Sequence, residues 1–141
     1  MNNVNENKNV NVKLTKHFIK DLSFENLQNI YQNYDYNNNV KINDKLNVNF
    51  NQFENNFFSL TLKYNFHCSS KEDNKNLCHL ELDYIGLFKI LNKSANDQKT
   101  LTQNGLKLLF PFANKILEYI TQSGGSIPIS LKNIDLTLNE N

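Results

Sequence analysis

His67-Cys68 and Cys78-His79 are the residues in this chain whose types and spacing first invite chemistry. Two histidines and two cysteines flank one polar turn, and Zn2+ takes such a set tetrahedrally. The surrounding pattern argues against it. Phe58, Leu60, Leu62, Tyr64, Phe66 and Cys68 alternate with Ser59, Thr61, Lys63, Asn65 and His67, a period of two that specifies a strand. Cys78, Leu80, Leu82 and Tyr84 alternate in the same way with His79, Glu81 and Asp83. Adjacent strand residues point to opposite faces. If Cys68 lies across from Cys78, both thiols enter the apolar face and both imidazoles the solvent face, so the four cannot converge on one ion. The expectation is two core cysteines, two surface histidines and no metal or cofactor. A Cys68–Cys78 disulfide is sterically open but does not suit a reducing compartment.

Catalysis finds no support either. His17, His67 and His79 lack a nucleophile in an elbow motif, and the 4 glycines form no phosphate-cradling loop. The chain reads as a non-enzyme. The outward acids Asp21, Glu25, Glu81 and Asp83 are open to two readings: an ordinary solvated sheet face, or a patch that docks a basic partner.

The elements that must position these residues follow from the same periodicities. Residues 1–9 form a polar, Asn-rich arm, and a single domain spans 10–138, followed by a short tail, 139–141. A first strand begins with Val10, Val12 and Leu14. Its register shifts near His17-Phe18-Ile19, as at a β-bulge, so that Leu22 and Phe24 share one face and Asp21, Ser23 and Glu25 the other. A loop over 26–39 precedes a weaker second strand from Val40-Lys41-Ile42 to about Phe50. The third and fourth strands form an antiparallel hairpin that ends at Gly86, and a crossover covers Leu87 to Gly105. Leu109, Phe112, Ile116, Leu117 and Ile120 lay an apolar stripe along a helix over Leu106–Gln122. Pro111 starts or kinks that helix, and Ser123-Gly124-Gly125 stops it. The fold class is α+β: a four-stranded antiparallel sheet with one long C-terminal helix on one face. One helix cannot cover such a sheet and also hide its own outer side, so another subunit is expected to supply the cover.

Composition narrows the partners. The 141 residues carry 15 basic and 14 acidic side chains, for a net charge of +1. Every basic residue is lysine and 28 residues are asparagine, a signature of A- and T-rich coding. Without arginine the bidentate readout of phosphate is missing, which argues against nucleic acid. No apolar run approaches the roughly 18 to 20 residues that span a bilayer, and Met1 to Asn11 lacks a basic start and apolar stretch. A cytoplasmic protein with no membrane insertion is expected.

Four segments, in order, resemble the SecB family of protein-export chaperones. Ile19-Lys20-Asp21-Leu22-Ser23-Phe24-Glu25 is similar to the family's strand-one motif, and Glu81-Leu82-Asp83-Tyr84-Ile85-Gly86-Leu87-Phe88 to its E-V-x-x-x-G-(I/L)-F segment. Leu108-Leu109-Phe110-Pro111-Phe112-Ala113 is similar to L-F-P-(Y/F)-A-R, with Asn114 where the family has Arg, and Gly125-Ser126-Ile127-Pro128 to G-(T/S)-F-P. The resemblance implies a homotetramer, a dimer of dimers. It also implies an ATP-independent holdase that keeps unfolded preproteins export-competent and passes them to the SecA ATPase. It places SecA docking at Asp21, Glu25 and Glu81, with His79 at the family's Leu position. The client grooves it implies would include Val40, Ile42, Phe88 and Ile90. The family's last helix is reduced here to Asn133-Ile134-Asp135-Leu136-Thr137-Leu138. That shortening and His79 suggest a second reading, a SecB-like chaperone dedicated to one client such as an antitoxin. A third reading, outside the family, is a metal-binding or structural β-domain.

Overall fold

In a computed structural model, which describes residues 12–28, 39–92, 97–126 and 129–131, four strands and one helix follow one another along the chain. Strand β1 spans Val12–Asn26, β2 Val40–Glu54, β3 Phe57–Ser70 and β4 Asn76–Ile90, and helix α1 spans Gln98–Ser123. The sheet order is β1-β4-β3-β2, antiparallel throughout, so β1 and β2 are its edges. The arm, the middle of the 26–39 loop and the Asn133–Leu138 segment lie outside the described residues.

Cys68 pairs with Cys78 and His67 with His79, which puts both thiols on one face and both imidazoles on the other. Directly opposed residues share a face. Phe58, Leu60, Leu62, Tyr64, Phe66 and Cys68 therefore enter the core together with Cys78, Leu80, Leu82, Tyr84 and Phe88, all buried. Phe58 stacks on Phe88 with ring centroids 5.0 Å apart.

Strand β1 follows β4 only by inserting two extra residues, Thr15 and Lys20, where the register shifts. The Thr15 hydroxyl donates to the Leu87 carbonyl at 3.0 Å, so the first bulge keeps a hydrogen bond. The second decides orientation. Ile19 still opposes Tyr84 on the helix side, but beyond Lys20 it is Leu22 and Phe24 that oppose Leu82 and Leu80. Asp21, Ser23 and Glu25 are thereby turned to the outer face.

Three boundaries differ from expectation. Strand β2 runs on past Phe50 to Glu54. Gly86 does not end β4, which runs on to Ile90; a Cβ at Gly86 would stand 2.9 Å from Leu109 Cδ1, so the glycine marks where the helix presses on the strand. The helix begins at Gln98, not Leu106. Asp97 caps it, accepting from Lys99 N–H at 3.1 Å and the Thr100 hydroxyl at 2.9 Å, and these bonds hold its carboxyl below the usual carboxylate range. Gly105, read as the end of a crossover, lies inside α1 because Leu60 fills the space beneath it. Pro111 also lies within the helix, on its exposed side, where solvent can satisfy the carbonyl its ring leaves unbonded. The stop is where it was expected: Gly124 caps, and Gly125 takes φ 75°, the left-handed turn that favours glycine.

Helix α1 packs on β1, β4 and β3 through Leu101, Leu106, Leu109, Ala113 and Leu117. Leu108, Phe112 and Tyr119 stay exposed on the helix, Phe112 stacking on His17 of β1 with ring centroids 4.1 Å apart, and Ile19 is exposed two residues further along that strand. On β2, the inward Ile42 is exposed and Leu46, Val48 and Phe50 are half-buried. The expected shortage of cover is thus visible at both edges of the subunit.

The packing at Gly105 sets two effects against each other. Gly105→Ala gains about 1 kcal/mol of helix propensity. Its new methyl, however, would lie 2.6 Å from Leu60 Cδ1, which is fully buried and closed in by Phe88. Overpacking of that kind costs about 1–3 kcal/mol. Urea unfolding should therefore show a net loss of stability, whereas an exposed-site control such as Gln103→Ala should change it little.

Candidate functional site on the outer sheet face

Three rows of side chains cross the outer face from β1 to β2. Asp21, Asp83, Lys63 and Asn47 make one row; Ser23, Glu81, Asn65 and Lys45 the next; Glu25, His79, His67 and Asn43 the third. The expected docking residues Asp21, Glu25, His79 and Glu81 thus fall together, within three rows of two adjacent strands. The carboxylates occupy β1 and β4, and the lysines β3 and β2. Asp21, Lys45, Lys63, Asn65, Glu81 and Asp83 line a shallow cleft of about 370 Å³.

The polar contacts within the face are sparse. His79 Nε2 lies 3.2 Å from Asn65 Oδ1 and 3.5 Å from Glu81 Oε1, and Asn65 Nδ2 donates to the same Glu81 oxygen at 3.5 Å. The imidazoles of His67 and His79 meet edge to face, their centroids 5.9 Å apart. Among the described residues, Lys75 and Asp73 form an ion pair and the His79 imidazole contacts the Glu81 carboxylate; Asp21, Asp83, Lys45 and Lys63 take part in neither. No cluster of three or more His, Cys, Asp or Glu among the described residues could hold a metal.

The four client-groove positions do not come together. Val40 and Ile42 pair with Ser70 and Cys68 at one end of the sheet, while Phe88 and Ile90 end β4 at the other. Cys68 pairs with Cys78, and ten residues of strand from there to Phe88 span about 33 Å. Only Ile42, 45% exposed, faces solvent; Phe88 is wholly buried. What joins the two ends is the inner face of β2, where Leu46, Val48 and Phe50 run between them and Asp44 accepts the Tyr64 hydroxyl at 3.1 Å. Burial, with the Asp44 charge and hydrogen bond behind it, raises the Tyr64 phenol far above its ordinary range.

With that geometry fixed, the relatives can be placed. The family described as preprotein translocase subunit SecB matches residues 5–138. The chain belongs to the SecB family. The protein-export protein SecB of Orientia tsutsugamushi (strain Boryong) is 33% identical over 120 residues, 84% of this chain and 74% of that protein. That of Zymomonas mobilis subsp. mobilis is 33% identical over 125 residues, 88% of this chain and 74% of that protein. A SecB-like chaperone of Mycobacterium tuberculosis, solved with a peptide from the HigA1 antitoxin, superposes with a TM-score of 0.66 at 8% identity over 88% of this chain and 91% of that one, a likeness of fold.

Two further features of this SecB-family chain lie away from the outer face. Asn114, at the motif's Arg position, accepts from Leu131 N–H at 2.6 Å and returns a bond to the Leu131 carbonyl at 3.4 Å. With Thr121 Oγ1 accepting from Ile129 N–H at 3.1 Å, it ties the segment after the helix back along it. The second feature is the thiol pair. Burial, then the Cys78 neighbour, pushes the Cys68 thiol from 9.0 up to about 12. Both cysteines are free and buried.

A buried thiol with a raised pKa is stable as the neutral form. The stabilisation it gives is complete below about pH 9 and is lost as pH climbs from there toward 12. At pH 8 a thiol-specific reagent should leave both cysteines of the native protein unmodified and titrate both in guanidinium. Rapid native reaction would show that they are not held in the core.

Proposed function

We propose that this protein-export chaperone works as an ATP-independent holdase in the cytoplasm, assembled as a homotetramer, and delivers unfolded preproteins to SecA. Clients lie along the inner face of β2, from Val40 and Ile42 past Leu46, Val48 and Phe50 toward the Phe88 and Ile90 end. An extended chain offers apolar side chains and unpaired backbone, and an edge strand beside an apolar furrow engages both without reading sequence. Binding the unfolded form withdraws it by mass action from premature folding. Sister copies cover the helix stripe of Leu108 and Phe112 beside Ile19. SecA docks on the outer face at Asp21, Glu25 and Glu81, with His79 among them. The observation that carries this reading is the apolar surface left uncovered at both sheet edges, Phe112 with Ile19 on one side and Ile42 on the other. No helix among the described residues is long and apolar enough to cross a membrane.

Refolding of a slow-folding preprotein should be retarded by a several-fold excess of this protein, and unretarded refolding would refute the holdase reading. Asp21→Lys and Glu81→Lys should each abolish SecA co-purification while leaving the retardation intact, because the acids and the β2 furrow occupy opposite faces. Native mass spectrometry should report four times the subunit mass.

A further inference from the structure

The outer face is polarised, and that has a consequence for what it can bind. Across the sheet, Asp21, Asp83 and Glu81 stand on β1 and β4, and Lys63 and Lys45 on β3 and β2, around one cleft. Lys63 faces Asp83 directly and Asn65 separates Glu81 from Lys45, yet neither lysine closes an ion pair with them. These charges are exposed, apart from the half-buried Asp83, and therefore keep their fields for a partner. A purely basic segment laid across the strands gains from the acids but meets the lysines as like charges, which costs it both affinity and register.

We infer that this cleft selects an extended polypeptide segment of split charge, basic residues over Asp21, Asp83 and Glu81 and an acidic residue over Lys63 and Lys45. The inference rests on the docking role proposed above for this face and adds its specificity: Lys63 and Lys45 are the residues that reject a uniformly basic partner. The spacing follows from the sheet. From β4 to β2 is two strand separations, about 10 Å, which an extended chain covers in about three residues. The bound motif is a basic residue followed or preceded, three positions away, by an acidic one.

Three blocked peptides test this by NMR titration of the outer-face amides: Lys-Lys-Ser-Ser-Glu-Glu, the basic Lys-Lys-Ser-Ser-Ser-Ser, and the interleaved Lys-Glu-Glu-Lys-Ser-Ser, in which no opposite charges stand three positions apart. The wild-type protein should bind the first roughly five-fold more tightly than either of the others, the scale of two exposed charge contacts. Raising the salt to about 0.5 M should erase the preference, since screening then acts over a few ångströms. In the double variant Lys45→Gln/Lys63→Gln, both sites solvent-exposed, the basic peptide should bind as tightly as the split one or more tightly. Wild-type binding of the basic or the interleaved peptide equal to the split one would overturn the selectivity and leave the docking role standing. Binding of none of the three would overturn both. A preference that survives in the double variant would show that the lysines do not set it.

Discussion

The pairing of Cys68 with Cys78 is the constraint on which the rest of the molecule depends. Side chains alternate along a strand, so a slip of one residue in the β3–β4 hairpin would exchange every inner residue for an outer one. It would expose Phe58, Leu60, Leu62, Tyr64 and Phe66 and bury Lys63, Asn65 and His67. At about 1.5–3 kcal/mol for each large apolar side chain, the loss approaches the whole stability of a domain. The two faces are therefore fixed, and with the thiols opposed Lys63 opposes Asp83 and His67 opposes His79.

A second constraint passes through β1. The extra residue at Lys20 reverses the alternation at the point where the chain changes from Ile19, inward, to Asp21, outward. Without it Asp21 and Glu25 would turn under the helix, and stripping hydration from unpaired carboxylates costs several kcal/mol each. Leu22 and Phe24 would meanwhile lose their places against Leu82 and Leu80. The bulge thus joins two demands that a straight strand could not meet together: a long edge strand whose first half lies against the β4 end near Phe88, and a second half that shows its acids to solvent.

Much of this was legible in the residues because period two leaves little freedom. The β3–β4 alternation placed every core side chain of the hairpin, and the break near Phe18 placed the bulge that orients Asp21. The helix start was not legible, because Asn104-Gly105 looks like an interruption; only the three-dimensional contact between Gly105 and Leu60 explains why a helix wants a glycine there. Gly86 misled for the same reason. On the outer face the acids stand out by their sign, whereas a lysine such as Lys63 or Lys45 reads from its type alone as an ordinary solvated charge. The signal was present, since the register that opposes the cysteines also opposes Lys63 and Asp83. The groove positions were the least legible: they came from a family pattern, and ten residues of strand separate one pair from the other.

The two faces of this sheet ask different things of a polypeptide, and the difference follows from the forces on each. The inner face of β2 offers Leu46, Val48 and Phe50, and apolar contact is non-directional, so its strength depends on area buried and hardly on sequence. The outer face offers fixed charges on a lattice about 4.8 Å from strand to strand, and Coulombic matching is strict about sign and spacing. In the roles proposed above, tolerance suits the inner face that would hold a client and discrimination suits the outer face that would hand it over. One sheet supplies both because strand alternation sends one kind of side chain to each side, and the register that buries the cysteines fixes the spacing of the charges.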